Sequence, residues 1–101
     1  MKEKIIKILQ DEKAIERIAE VAHDKWCGAK KQQGYHSPAL CTSEGRKEAA
    51  AKGVSSEVIR TTRWCNTCHN MIMSFDELAP SVKSGRLKTA RGIIEALLNE
   101  V

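Results

Sequence analysis

The chain has 101 residues, 42% apolar and 4% aromatic, with 17 Lys and Arg against 13 Asp and Glu, a formal charge of +4. That length fits one small domain, and the apolar share is enough for a core, which excludes a disordered or low-complexity chain. The longest stretches without a formal charge, 32–43 and 64–75, are too short and polar to cross a bilayer, and residues 1–13 mix both charge signs, so the expectation is a cytoplasmic protein with no membrane partner.

The basic surplus lies in the first two thirds: eight against six over 1–36, five against three over 37–64, four against four over 65–101. It suits an anionic partner, yet acids dilute it well below a nucleic-acid stripe, and Arg46, Lys47, Lys52, Arg60 and Arg63 read first as a solvated face.

Ile15, Ile18, Ala19, Ala22 and Trp26 recur at helical spacing and predict an amphipathic helix over about 14–31, with Ile5, Ile6 and Leu9 marking a shorter turn before it. Gly34 ends the long helix and Ser37-Pro38 opens a loop. Ser43 can cap a helix through Ala49–Ala51 that stops at Gly53, and another starts near Ser55 or Ser56. Ser74-Phe75-Asp76-Glu77 has the form of a capping box, ahead of a short helix broken near Pro80. After Ser84-Gly85, the stripe Leu87, Ala90, Ile94, Leu97, Leu98 and Val101, widened by Ile93, predicts a last helix. No segment alternates with a period of two, so the fold class is all-α: two main amphipathic helices, short capped helices and a helical excursion between them.

His23-x-x-Trp26, Lys30 and Gly34-Tyr35, followed by His69-Asn70-Met71-Ile72-Met73-Ser74-Phe75-Asp76-Glu77-Leu78, resemble in order and spacing the two motifs of the RyR domain, the repeat of ryanodine receptors that also stands alone in bacterial and phage proteins. The resemblance covers 14–36 and 69–100, makes residues 1–101 one RyR-like domain, and leaves 38–64 as an insertion. It implies a non-enzymatic module that senses or sequesters a nucleotide-derived small molecule, such as an adenine nucleotide, a cyclic ADP-ribose-like signal or a cyclic nucleotide, in a phage–host setting. By the same resemblance Trp26 stacks on a base, Lys30 meets phosphate, and a second copy completes the site in a homodimer or higher homo-oligomer. Trp26 and Lys30 are one helical turn apart, which agrees with those roles. Tyr35, which stands where the family has Trp, lines the same pocket, with Lys31, Arg63 and Arg91 as further positive charge.

Four cysteines without a secretory signal point to buried thiols or a metal rather than a disulfide framework. Cys65-x-x-Cys68 is half of a zinc site, and Cys41 with one of Cys27, His36 or His69 completes four ligands that would close the insertion. This gives the competing reading, a zinc-stabilised protein-interaction or nucleic-acid-binding module. Cys65-Asn66-Thr67-Cys68-His69 also has the haem-attachment spacing, a chemistry that belongs outside the cytoplasm. No nucleophile or carboxylate pair forms a catalytic motif, so no enzyme is expected.

Overall fold

The computed structural model describes residues 1–101. It is all-α: five α-helices, α1 (Lys2–Leu9), α2 (Glu12–Gln32), α3 (Glu44–Ala51), α4 (Ser56–Thr61) and α5 (Pro80–Asn99), with 3-10 turns at Pro38–Leu40 and Phe75–Glu77. The chain divides into two compact units, one of 1–25 with 75–101 and one of 26–74. Helix α2 contributes residues to both.

In the first unit α1 lies against α5. Between α1 and α2, Asp11 caps the long helix: its Oδ1 accepts the N–H groups of Lys13 at 3.0 Å and Ala14 at 3.3 Å, so α2 begins three residues before the apolar stripe does. Arg91 of α5 ties this junction, donating to the carbonyl of Leu9, the last residue of α1, at 3.0 Å and to the Glu12 carboxylate at 2.8 Å. The core consists of Ile5, Ile15, Ala19, Phe75, Leu78, Ala90 and Ile94. His23 is buried with them, edge-on to Phe75 at 6.3 Å between ring centroids.

Two sequence expectations change here. The buried line of α2 in this unit is Ile15, Ala19 and His23, whereas Ile18 is 38% exposed and Ala22 is on the surface. The apolar stripe was wide enough to allow more than one orientation, and the fold takes the edge that carries His23. Pro80 starts a helix instead of breaking one: at the first position of α5 its missing N–H costs no hydrogen bond and its fixed φ suits the helix, so α5 runs straight through Ser84-Gly85. Along it Ala90 and Ile94 are buried, Leu87 and Leu98 half-buried, and Ile93, Leu97 and Val101 exposed.

The second unit starts with the end of α2. Gly34, at φ +98°, closes that helix in a Schellman turn, with Gly34 N–H on the Lys31 carbonyl at 3.0 Å and Tyr35 N–H on that of Lys30 at 3.1 Å. Ser37 caps the Pro38–Leu40 turn, Ser43 caps α3 and Ser55 caps α4, each through its side-chain oxygen. Helix α4 packs on the Pro38–Leu40 turn and on α3. Trp64 donates its indole N–H to the Ile59 carbonyl at 2.8 Å, and Arg46 reaches the Ala39 carbonyl at 2.6 Å. Only Cys27, Pro38, Cys41, Ile59, Cys68 and Ile72 are buried in this unit. Three of the six are cysteines, so aliphatic burial is a small part of what could hold it together.

Candidate metal centre

The second unit gathers His36, Cys41, Cys65 and Cys68, whose ligand atoms all lie within 4.8 Å of one another. Each arrives by a local device. The Schellman turn at Gly34 releases the chain from α2 into extended backbone. There His36 forms a parallel bridge with Cys68, its N–H on the Thr67 carbonyl at 2.9 Å and its carbonyl accepting the His69 N–H at 3.0 Å. The Pro38–Leu40 turn then folds Cys41 back, with the Cys41 N–H on the Pro38 carbonyl at 3.2 Å. Cys65 and Cys68 stand at the two ends of a tight turn closed by Cys68 N–H on the Cys65 carbonyl at 3.2 Å.

Four of the six separations are close to a tetrahedron's edges. Cys41 Sγ lies 3.8 Å from Cys65 Sγ and Cys65 Sγ 3.7 Å from Cys68 Sγ. His36 Nε2 lies 3.4 Å from Cys65 Sγ and 3.3 Å from Cys68 Sγ. A tetrahedral ion with metal–sulfur bonds of about 2.3 Å and a metal–nitrogen bond of about 2.0 Å sets sulfur–sulfur edges near 3.8 Å and nitrogen–sulfur edges near 3.5 Å. All four cysteines are free thiols. Three sulfurs and one imidazole make a soft, closed donor set.

Nearby hydroxyls prepare the sulfurs. The Ser43 hydroxyl, 3.4 Å from Cys41 Sγ, and secondarily the Ser43 N–H lower the Cys41 thiol to about 7. The Thr67 hydroxyl, 3.3 Å from Cys65 Sγ, and then the Thr67 N–H lower Cys65 as well. Burial is the leading cause that raises Cys68. Thr67 Oγ1 is also 3.3 Å from His36 Nδ1. Were Nε2 to bind a metal, Nδ1 would carry the proton and donate it to Thr67 Oγ1, leaving the threonine hydroxyl hydrogen for Cys65.

His36 is thus the fourth member of the group, and Cys27 and His69 stand outside it. The Cys27 thiol points to the carbonyls of Met71 at 3.9 Å and Met73 at 3.7 Å. The His69 Nδ1 accepts the Met71 N–H at 3.2 Å, and its ring meets Trp26 and Tyr35 edge-on, at 4.8 and 5.9 Å between centroids.

The residues expected to meet a ligand are partly gathered. Lys30 Nζ lies 5.8 Å from the Trp26 ring centroid and 5.6 Å from that of Tyr35. Tyr35 and Arg63, with Cys68, His69 and Asn70, line a cleft of about 210 Å³. Arg63 donates to the Asn66 carbonyl at 3.2 Å, and Lys31 is exposed on the last turn of α2. Arg91 belongs to the first unit, on the α1–α2 junction described above. Sequence reasoning missed Thr67 and read Ser43 as the cap of α3 alone, without its place beside Cys41. The signal was present in hydroxyls one or two residues from a ligand cysteine, but such residues are too common to single out.

Compared with protein families, with curated proteins and with solved structures, the chain matches none. No helix is long and apolar enough to cross a membrane.

Proposed function

We propose that this chain is a non-enzymatic binding module whose second unit is built around a structural zinc ion held by His36, Cys41, Cys65 and Cys68. The observation that carries this reading is the edge lengths: two sulfur–sulfur separations of 3.8 and 3.7 Å with a ring nitrogen 3.3–3.4 Å from two of the sulfurs. The closed set of four protein donors suits a structural ion, with no position left for substrate. The scarcity of aliphatic side chains in the interior of residues 26–74 supports the same reading, since a unit this small gains most from a staple. The test is metal analysis of protein purified without added metal, followed by chelation. About one zinc per chain, and loss of structure in 26–74 on chelation with recovery on zinc, supports it. A metal-free protein whose spectrum ignores both chelator and zinc overturns it.

A second reading concerns what the module binds. The Lys30 ammonium beside two aromatic rings, next to a cleft edged by Arg63, favours a nucleotide-derived small molecule: a ring system to stack on Trp26 or Tyr35 and a phosphate for Lys30. It accords with the RyR-like motifs that carry Trp26 and Lys30, and with the pairing of two copies that those motifs imply. Titration of zinc-loaded protein with adenine mononucleotides, ADP-ribose and its cyclic forms, and cyclic dinucleotides, followed by tryptophan fluorescence, tests it. No binding tighter than about 1 mM ends this reading without touching the zinc.

A further inference from the structure

The apolar stripe of α2 that the fold leaves uncovered is the strongest remaining feature. In the first unit the helix buries Ile15, Ala19 and His23, while Ala14, Ile18, Val21 and Ala22 form a neighbouring stripe that, with Ile8 of α1, lines an open groove of about 670 Å³. Ile18 is 38% and Val21 53% exposed. The two charged side chains on this groove, Arg17 and Lys25, are both basic. Of the acids of this part of α2, Glu16 and Glu20 point at least about 100° away from both Ile18 and Val21, and Asp24, three residues from Val21, stands at the edge of the stripe without lining the groove.

Charge chooses the occupant. Arg17 and Lys25 each stand four residues from Val21. In a symmetric antiparallel pairing of two copies across Val21, Arg17 of one copy would face Lys25 of the other, like against like. An apolar ridge flanked by carboxylates meets the same groove with attraction at both ends. We propose that the groove of Ile8, Ile18 and Val21 is a docking site for an amphipathic helix of another protein, with Asp or Glu beside its apolar ridge to meet Arg17 and Lys25.

The test uses the full zinc-loaded chain and a fluorescein-labelled, helix-forming designed peptide with Leu at helical spacing flanked by Glu, against a twin flanked by Lys. The Glu peptide binds saturably, and the Lys twin binds about tenfold or more weakly, as two exposed ion pairs turned to repulsions imply. Val21→Glu removes binding with an unchanged circular dichroism spectrum, and the double variant Arg17→Glu, Lys25→Glu reverses the preference between the peptides. If Val21→Glu fails to fold, that reversal alone decides. Equal affinity for both peptides overturns the proposal, and so does no saturable binding of the Glu peptide. A concentration-dependent dimer that Val21→Glu abolishes gives the groove to a second copy instead. Binding of wild-type protein to phosphatidylserine vesicles that the Glu peptide does not displace gives it to a lipid surface.

Discussion

His36 and Thr67 share a hydrogen bond of 3.3 Å between ring Nδ1 and Oγ1, and the same oxygen lies 3.3 Å from Cys65 Sγ. One hydroxyl therefore touches both the imidazole and a sulfur, and with Nε2 on an ion it would accept from Nδ1–H and turn its own hydrogen to Cys65. Thr67→Val keeps the shape and removes both bonds. With zinc as the occupant, we expect the metal affinity to fall by about 10–100-fold while the loaded protein keeps its fold, as read by competition with a chromophoric chelator. An unchanged affinity would place His36 Nε2 away from the metal.

The ligand set is tested by contrast. Cys41→Ser, Cys68→Ser and His36→Ala each weaken zinc binding by more than that outer hydroxyl does, whereas Cys27→Ser and His69→Ala leave the stoichiometry at about one ion per chain. Native mass spectrometry counts the ions. Retention of zinc by His36→Ala together with its loss in Cys27→Ser would show that the wrong fourth ligand has been chosen.

Protons compete with the metal, and the sign follows from the thiols. Zinc takes thiolates, so a ligand still protonated at the working pH must release its proton on binding, and affinity rises with pH until the highest of these pKa values is passed. Without metal Cys41 stands at about 7, held down by Ser43, and Cys65 is lowered by Thr67, while burial raises Cys68 above its ordinary value. Cys68 thus gives up its proton throughout the neutral range, and Cys41 joins it as the pH falls through about 7. Zinc affinity should fall from about pH 8 to about pH 6, more steeply at the acid end. Calorimetry in buffers of different ionisation enthalpy counts the protons, and a count near zero across that range contradicts the assignment.

In the first unit, Asp11→Ala removes the acceptor for two N–H groups at the start of α2. The cost should be about 1 kcal/mol, read as a lower urea midpoint at constant slope. Asp11→Asn, an equally good cap, should recover most of it.

On the ligand reading, Lys30→Ala weakens nucleotide binding with little effect on folding, since its ammonium reaches only Gln33 at 3.5 Å and two ring faces. Trp26→Ala should cost about 1–3 kcal/mol of binding. Equal affinity of well-folded Lys30→Ala would move the ligand off this face.

Much of the fold could be read from local chemistry. Gly34, Ser43, Gly53 and Ser55 mark the ends of helices because caps and left-handed glycines act within a few residues. Asp11 obeys the same rule, but it stands four residues ahead of Ile15, where the apolar stripe begins. The choice among Cys27, His36 and His69 was not legible, because it depends on a backbone bridge between residues far apart in the chain, 36 and 68. Spacing could pair Cys65 with Cys68, since two intervening residues return the chain on itself, but it says nothing about which distant side chain faces them. Nor could periodicity show which edge of the α2 stripe would be covered, since that is set by the elements it packs on.

Ser43 holds two positions at once: its oxygen accepts the Arg46 N–H at the head of α3, at 3.4 Å, and faces Cys41 Sγ, also at 3.4 Å. The first turn of α3 therefore touches the His36–cysteine cluster through one hydroxyl. With the thiol protonated, its hydrogen points to the serine oxygen; on the zinc reading Cys41 gives its charge to the ion, the serine hydrogen would turn to the sulfur instead, and the bonding of the cap oxygen would change with occupancy. The amide of Arg46, which ligates nothing, would report occupancy through its rate of hydrogen exchange.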